Sequence, residues 1–474
     1  MLFCSQQFLF FFLVVFVAYW ITPWRPARVW LLLIASFYFY ASWNPWLAWV
    51  IAVSSTVDYL VARGMDATES RRWRLSLLLG SLVMNLSLLC YFKYANFFLA
   101  SLEAGLRAAG ASASFPVLSV ILPIGISFYT FEAINYTVDV YRRQVKAERN
   151  LFHFMLFILF FPHLVAGPIV RAKDFLPQIN RRKRWSWGRL NLGCQFFLMG
   201  LFKKLAIADQ MALYSDPVFA NPQQYGSGAV WLATIAYALQ IYGDFSGYSD
   251  MALGAAYMLG YKLARNFNMP YLAANVSEFW HRWHISLSTW LRDYLFIPLG
   301  GSRGGTWSTC RNLLITMALG GLWHGAAWTL VAWGVLHGVL LIGHRFFHDY
   351  CKRRPRLDRV LQSNAGTLLR IAVTFLCVSI GWVFFRATTF DVALNMLERL
   401  VIPHSGWGPP LSPVSLWGLV AVVVVCHIVA HRGWWQHALR RLPAPAMGFG
   451  YAALVNFAFV LAPGVSKTFI YFQF

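Results

Sequence analysis

The sequence is short of charge, and above all of acidic residues. Charged side chains make up only 12% of its 474 residues, with 18 Asp and Glu against 40 Lys and Arg, whereas an ordinary soluble domain carries about 25% charged residues. Hydrophobic residues make up 58% and aromatic residues 18%. Because a water-soluble globule of this size could not bury so much apolar surface, the composition argues against a soluble enzyme and against a disordered chain.

Several motifs of soluble chemistry are also missing. The 7 cysteines are scattered without a CxxC pair, so we expect no disulfide framework. The sequence has no G-x-S-x-G elbow, no P-loop and no internal repeat of the kind found in many transporters. His344 and His348 have the spacing of two metal ligands on a helix, but no carboxylate lies between them, so we expect no bound metal.

Long apolar runs are present along the whole chain. We predict an all-α integral membrane protein, one polytopic domain over residues 1–474, with about 11 transmembrane helices plus re-entrant and interfacial helices. The run at residues 8–21 is expected to remain as a span, because no basic residue precedes Arg25 to form a signal-peptide n-region. Runs 229–242 and 251–261 are predicted as separate spans. Residues 322–342 are predicted as one continuous helix that carries both His324 and His337.

The basic residues lie in short loops between apolar runs, which indicates the positive-inside pattern and not nucleic-acid binding. Loops 71–74 and 142–149 are two predicted crossings apart, so both are placed in the cytoplasm and the N-terminus in the periplasm. A single crossing at 151–165 would put the basic loop 181–184 outside. We therefore predict that residues 161–168 enter the membrane and return, which requires protein or water around the backbone.

Ionisable residues inside apolar runs are functional candidates, because burying them is costly. Residues 242–250 contain Asp244, Ser246 and Asp250 among two glycines. One interpretation is a helix break whose polar side chains cap the next helix. The other is a direct role of these side chains in binding.

A second polar stretch covers residues 278–293. If it is helical, the spacing places His281, His284 and Ser288 on one face. The alternative is an amphipathic interfacial helix in which Arg292 pairs with Asp293 or a neighbour. Tryptophans in such a stretch suit an interface or the wall of a pocket. The substrate-pocket candidates of this stretch are Trp280, Trp283 and Ser288.

The third stretch places His324 beside Trp323 among glycines and alanines. Small residues leave space for a substrate or for another helix. A histidine titrates near neutrality, so it can take a proton from a hydroxyl and return it. The alternative is a buried neutral histidine bonded to a backbone carbonyl.

In their order along the chain, these stretches resemble the membrane-bound O-acyltransferase family, and in particular its bacterial branch. The resemblance covers about residues 120–345 and is carried by LPIGISFYTF at 122–131, FPHLVAGPI at 161–169, residues 242–250 and 279–293, and the Trp-His-Gly at 323–325. It implies tilted helices around a central funnel and acyl transfer from a thioester to a hydroxyl. The family's essential histidine falls on His324, and its second polar position falls on His284.

The resemblance also implies partners. Bacterial members of this branch pass acyl groups from the cytoplasm toward cell-envelope glycans. We therefore expect an O-acetyltransferase of a bacterial inner membrane, with acetyl-CoA as the donor, no bound cofactor, a polysaccharide acceptor such as alginate, and a periplasmic acetyltransferase as partner. By the same resemblance Tyr471, in the tail FIYFQF at 469–474, would carry the acyl group as an ester. The alternative for the tail is an aromatic anchor at the membrane interface.

Two other classes of function remain open at this point. A transporter or flippase for a glycan or lipid carrier would use the same buried polar groups as a pathway, without chemistry. A scaffold for a secretion complex would leave His324 unexplained.

Overall fold

Every regular element in the described part of the chain is helical. The computed structural model describes residues 1–112, 114–165, 167–434, 442–462 and 469–470, and β-pairing among them is limited to an isolated bridge between Tyr225 and Trp407. Within these residues 7 helices or continuous helical runs are long and apolar enough to cross a membrane. The all-α membrane class is confirmed, whereas the predicted count of about 11 crossings is not. The 7 are Pro45–Asp66, Arg71–Ala108, Trp187–Ala220, Trp328–Lys352, Asn364–Arg386, Pro413–His431 and Ala444–Leu461.

The chain folds into two compact units, of which the first comprises Met1–Phe197 and Ser249–Ala264. Capping side chains begin several of its helices, for example Ser5 and Asn44, whose side-chain oxygens accept backbone N–H groups. Its helices are α1 (Gln6–Ile21), α2 (Arg25–Ala41), α3 (Pro45–Asp66), α4 (Arg71–Leu89), α5 (Ala95–Ala108), α6 (Ile126–Tyr141), α7 (Leu151–Leu159), α8 (Phe161–Leu164) and α9 (Ala172–Ile179).

Within the first unit, the short helix α8 is followed by irregular, buried chain at residues 165 and 167–170. His163 Nε2 lies 3.3 Å from Glu132 Oε2 on α6, and the Val170 N–H donates to Glu132 Oε1 at 2.8 Å. Gly125, with φ +77°, lets the backbone before α6 approach the Leu164 carbonyl. The irregular backbone is thus surrounded by protein, as lipid would require; its entry into and return from the membrane stay predictions.

The second unit comprises Leu198–Tyr248 and Arg265–Phe474. Two helices, α10 (Trp187–Phe202) and α12 (Ser227–Met258), each have residues assigned to both units. A π-helical turn at Lys203–Ala208 joins α10 to α11. The remaining helices are α11 (Asp209–Ala220), α13 (Val276–Arg282), α14 (Ile285–Leu291), α15 (Gly305–His324), α16 (Trp328–Lys352), α17 (Pro355–Gln362), α18 (Asn364–Arg386), α19 (Phe390–Val401), α20 (Pro413–His431) and α21 (Ala444–Leu461).

Helix α12 contradicts one prediction. It is continuous over 32 residues, so residues 242–250 are neither a helix break nor the boundary between two spans. The glycines there serve close packing: a Cβ on Gly243 would lie 3.0 Å from the Lys203 carbonyl oxygen, and one on Gly247 would lie 2.7 Å from that of Gly200. In a packed membrane protein, small residues on a helix mark the approach of another backbone.

A second prediction is also wrong, because residues 322–342 do not form one helix. Helix α15 ends at His324, Gly325 is extended, and α16 begins at Trp328. The two helices return against each other as a hairpin: a Cβ on Gly321 would overlap the Leu330 carbonyl of α16, and one on Gly334 would overlap the Met317 carbonyl of α15. The small residues near His324 therefore allow the close approach of helix α16.

Candidate active site

His324 closes helix α15 and is only 3% exposed. Its ring centroid lies 5.0 Å from that of Trp323, 5.1 Å from that of Trp333 and 5.2 Å from that of Phe385. The rings come from α15, α16 and α18, so three helices of the second unit build the wall around this imidazole. Sequence reasoning missed Trp333 and Phe385, because nothing in their local sequence shows that they face a histidine.

His284 sits in the turn between α13 and α14 and is fully buried. Its φ of +42° is left-handed, so residues 278–293 are not one helix and the predicted common face of His281, His284 and Ser288 does not exist. His281 is exposed, with Nδ1 2.7 Å from the Ser277 carbonyl. Ser288 Oγ donates to the Trp283 carbonyl at 3.2 Å.

The predicted pairing of Arg292 with Asp293 is confirmed, with Nε 2.7 Å from Oδ1. The two residues follow α14 and lie toward the surface. They are separate from the buried histidine at the other end of that helix.

Asn266 holds the turn at His284. Its side-chain Oδ1 accepts hydrogen bonds from Ser286 Oγ at 2.6 Å and from Ser286 N–H at 3.3 Å, and its carbonyl accepts from Ile285 N–H at 2.9 Å. A non-glycine residue in the left-handed region costs about 1–3 kcal/mol and persists only where its surroundings fix it. Such outliers cluster at functional sites.

The fold brings the two predicted catalytic histidines together. The ring centroids of His284 and His324 are 6.3 Å apart, and Trp323 lies 6.0 Å from His284. Phe245 of α12 contacts His284 edge-on at 4.6 Å. At this separation one reacting group between the imidazoles could come within hydrogen-bond reach of both, about 2.6–3.2 Å.

Asp244 is part of a buried charge cluster. Lys204 Nζ lies 2.8 Å from Asp244 Oδ1 and 2.8 Å from Asp209 Oδ1, and all three residues are at most 4% exposed. Lys204 was not predicted from the sequence, although an ammonium group within an apolar run is itself a functional signal. The neighbouring Ser246 is fully buried, and among the described residues its hydroxyl has no hydrogen-bond partner.

The other predicted pocket residues are distributed differently. Trp283 packs against Trp382 at 4.9 Å, and Trp280 lies 5.2 Å from His337, so both belong to an aromatic core that extends beyond the histidine pair. Asp250 lies in the first unit and is half-buried. Tyr471 lies outside the described residues.

The 7 candidate membrane spans among the described residues, together with the buried histidine pair, define this protein as a multi-pass membrane protein with a site suited to proton transfer. The sequence model of MBOAT, the membrane-bound O-acyltransferase family, matches residues 81–380. The chain belongs to this family. It is therefore an acyltransferase, which favours the enzyme over the transporter and scaffold alternatives.

Relatives of known name support the same class. "Probable alginate O-acetylase AlgI" of Pseudomonas aeruginosa is 43% identical over 441 residues, which cover 90% of this chain and 80% of that protein. "Peptidoglycan O-acetyltransferase" of Helicobacter pylori is 37% identical, covering 85% of this chain and 80% of that protein. "Teichoic acid D-alanyltransferase" of Bacillus subtilis is 30% identical, covering 58% and 71%. These similarities support a membrane O-acetyltransferase.

Proposed function

We propose that this protein takes acetyl groups from cytoplasmic acetyl-CoA and passes them across a bacterial inner membrane toward hydroxyls of a cell-envelope or secreted polysaccharide such as alginate. In this proposal the N-terminus is periplasmic. The two more similar relatives described above carry names that specify O-acetylation, which supports acetyl over D-alanyl as the transferred group. The observation that carries the proposal is the buried His284–His324 pair, with its ring centroids 6.3 Å apart.

The proposed chemistry uses both imidazoles. His324 takes the proton of the acceptor hydroxyl while the hydroxyl oxygen attacks the thioester carbonyl. A C–O bond forms, the C–S bond breaks, and the proton passes to the departing CoA thiolate. His284 orients the thioester or donates a hydrogen bond to the oxyanion. The pocket around the reactants is proposed to involve Asp244, Ser246, Trp280, Trp283, Ser288 and Trp323.

The acceptor hydroxyl of this step is one of two. In the first route, it belongs to Tyr471, which holds the acetyl group as an ester. In the second, it belongs to a periplasmic acetyltransferase, which passes the acetyl group on to the polysaccharide. Both routes begin with release of CoA, so CoA release measures the step that this chain is proposed to perform.

The test is CoA release from labelled acetyl-CoA by the purified protein in liposomes. General-base help is worth about 10²–10⁴-fold, so His324→Ala should lower the rate at least 100-fold at equal membrane abundance. His427→Ala is the matched control: His427 is also buried, but its ring contacts Tyr242 at 5.0 Å, and its Nδ1 lies 2.9 Å from the Val423 carbonyl. Wild-type CoA release by His324→Ala would show that the assignment is wrong.

A further inference from the structure

The chain end returns to the charge cluster beside the histidine pair. Phe469 and Ile470 are 1% and 2% exposed. The Ile470 N–H donates to Asp244 Oδ2 at 2.6 Å. The Phe469 ring stacks on Tyr248 at 4.5 Å and lies 6.3 Å from Phe245. Phe245 therefore lies near both Phe469 and His284.

The charges of the cluster explain why it accepts a backbone amide. Lys204 bonds one oxygen of Asp209 and one of Asp244, so one buried ammonium group serves two buried carboxylates. A buried carboxylate oxygen is costly unless a donor reaches it. The Ile470 N–H is such a donor for Asp244 Oδ2, and hydrogen bonds to an ionised acceptor are among the strong ones.

The contacts define the kind of ligand that fits. Asp244 bonds a main-chain amide, which any residue except proline offers. The preceding side chain, that of Phe469, stacks on the ring of Tyr248 and lies near the ring of Phe245, which favours an aromatic residue there. The arrangement thus selects a peptide segment with an aromatic residue directly before the bonded amide.

We propose that Asp244, whose other oxygen pairs with Lys204, is the docking site for the C-terminal segment and the positioning residue that holds this segment next to the His284–His324 pair. Tyr471 follows Ile470 directly, and the α-carbons of adjacent residues are about 3.8 Å apart. Docking on Asp244 therefore fixes the position of Ile470, the residue directly before the tyrosine. The catalytic consequence of docking rests on the proposed transfer through Tyr471, whereas docking itself does not.

Hydrogen exchange of the Ile470 amide tests the docking site in the full-length protein in nanodiscs. Asp244→Ala removes the acceptor, and exchange should become at least tenfold faster. Asp209→Ala is the matched control. Like Asp244→Ala, it leaves Lys204 with one of its two carboxylate partners, but the hydrogen bond from Ile470 to Asp244 stays in place. Exchange of the Ile470 amide should therefore change less than threefold. Tyr248→Leu removes the ring on which Phe469 stacks without altering any charge, so it should also accelerate exchange of the Ile470 amide. This variant replaces Asp244→Ala in the test if Asp244→Ala does not fold.

Two exchange results would overturn the docking site. One is equal acceleration in Asp209→Ala and Asp244→Ala, which would indicate general loosening of the cluster. The other is slow exchange in both Asp244→Ala and Tyr248→Leu.

Kinetics test the positioning role separately. In Asp244→Ala, kcat for acetyl transfer should fall at least tenfold while the KM for acetyl-CoA stays within twofold, because the tail presents the acceptor and not the donor. Fast exchange with unchanged kcat would overturn the positioning role. That result differs from failure of the proposed function, which appears as normal CoA release in His324→Ala.

Discussion

Removing the side-chain amide of Asn266 should misplace His284 without touching either histidine. Asn266→Ala deletes both hydrogen bonds that the Asn266 side-chain oxygen accepts from Ser286 and that fix the left-handed turn, while the backbone bond from Ile285 remains. Each intramolecular hydrogen bond contributes about 0.5–1.5 kcal/mol, so the turn loses roughly 1–3 kcal/mol. At about 1.36 kcal/mol per factor of ten, kcat/KM should fall about 5- to 150-fold.

The assay is acetyl transfer at equal membrane abundance, with thermal unfolding measured alongside. Asn266→Asp keeps an oxygen where Ser286 donates, so it should retain more activity than Asn266→Ala. A variant that merely unfolds would lose both activity and its thermal transition. If folded Asn266→Ala transfers acetyl groups at the wild-type rate, the turn does not prepare His284 for catalysis and the reasoning fails.

Two further predictions concern packing and the tail. Gly334→Ala places a Cβ against the Met317 carbonyl, so it should separate α15 from α16 at a cost of about 1–3 kcal/mol and lower Tm; Gly343→Ala on the same helix meets nothing within 4 Å and should leave Tm unchanged or raised. Equal Tm values would refute the packing argument. Tyr471→Phe keeps the ring and removes the hydroxyl, so polysaccharide acetylation should fall sharply; unchanged acetylation would eliminate the tyrosine route.

Hydropathy predicted the membrane class but could not place the helix ends. The glycines at 243 and 247 indicate a break when only the local sequence is considered. In the structure they let α12 pass close to the backbone of residues 200 and 203 and continue as one helix. Conversely, residues 320–328 gave no signal of a hairpin, because the glycines that allow it meet carbonyls on the partner helix. Both errors come from contacts between elements, which a single stretch of sequence does not contain.

The histidine pair was predictable, but its geometry was not. His324 and His284 were selected by their apolar surroundings and by resemblance to the family. The left-handed turn at His284 depends on Asn266, which lies 20 residues before the serine that it binds. Lys204 could have been found, because the rule that selected Asp244 applies equally to a lysine in an apolar run.

Both histidines lie where helical structure stops, His324 at a helix end and His284 in a left-handed turn. Helix ends and turns leave backbone groups that lipid cannot satisfy, so irregular chain at membrane depth must be covered by protein or water. The aromatic rings around His324 and the Asn266 bonds beside His284 provide that cover. A break in a helix is also where backbone and side chain can meet a reactant together. The same covering residues therefore hold the two imidazoles with their ring centroids 6.3 Å apart.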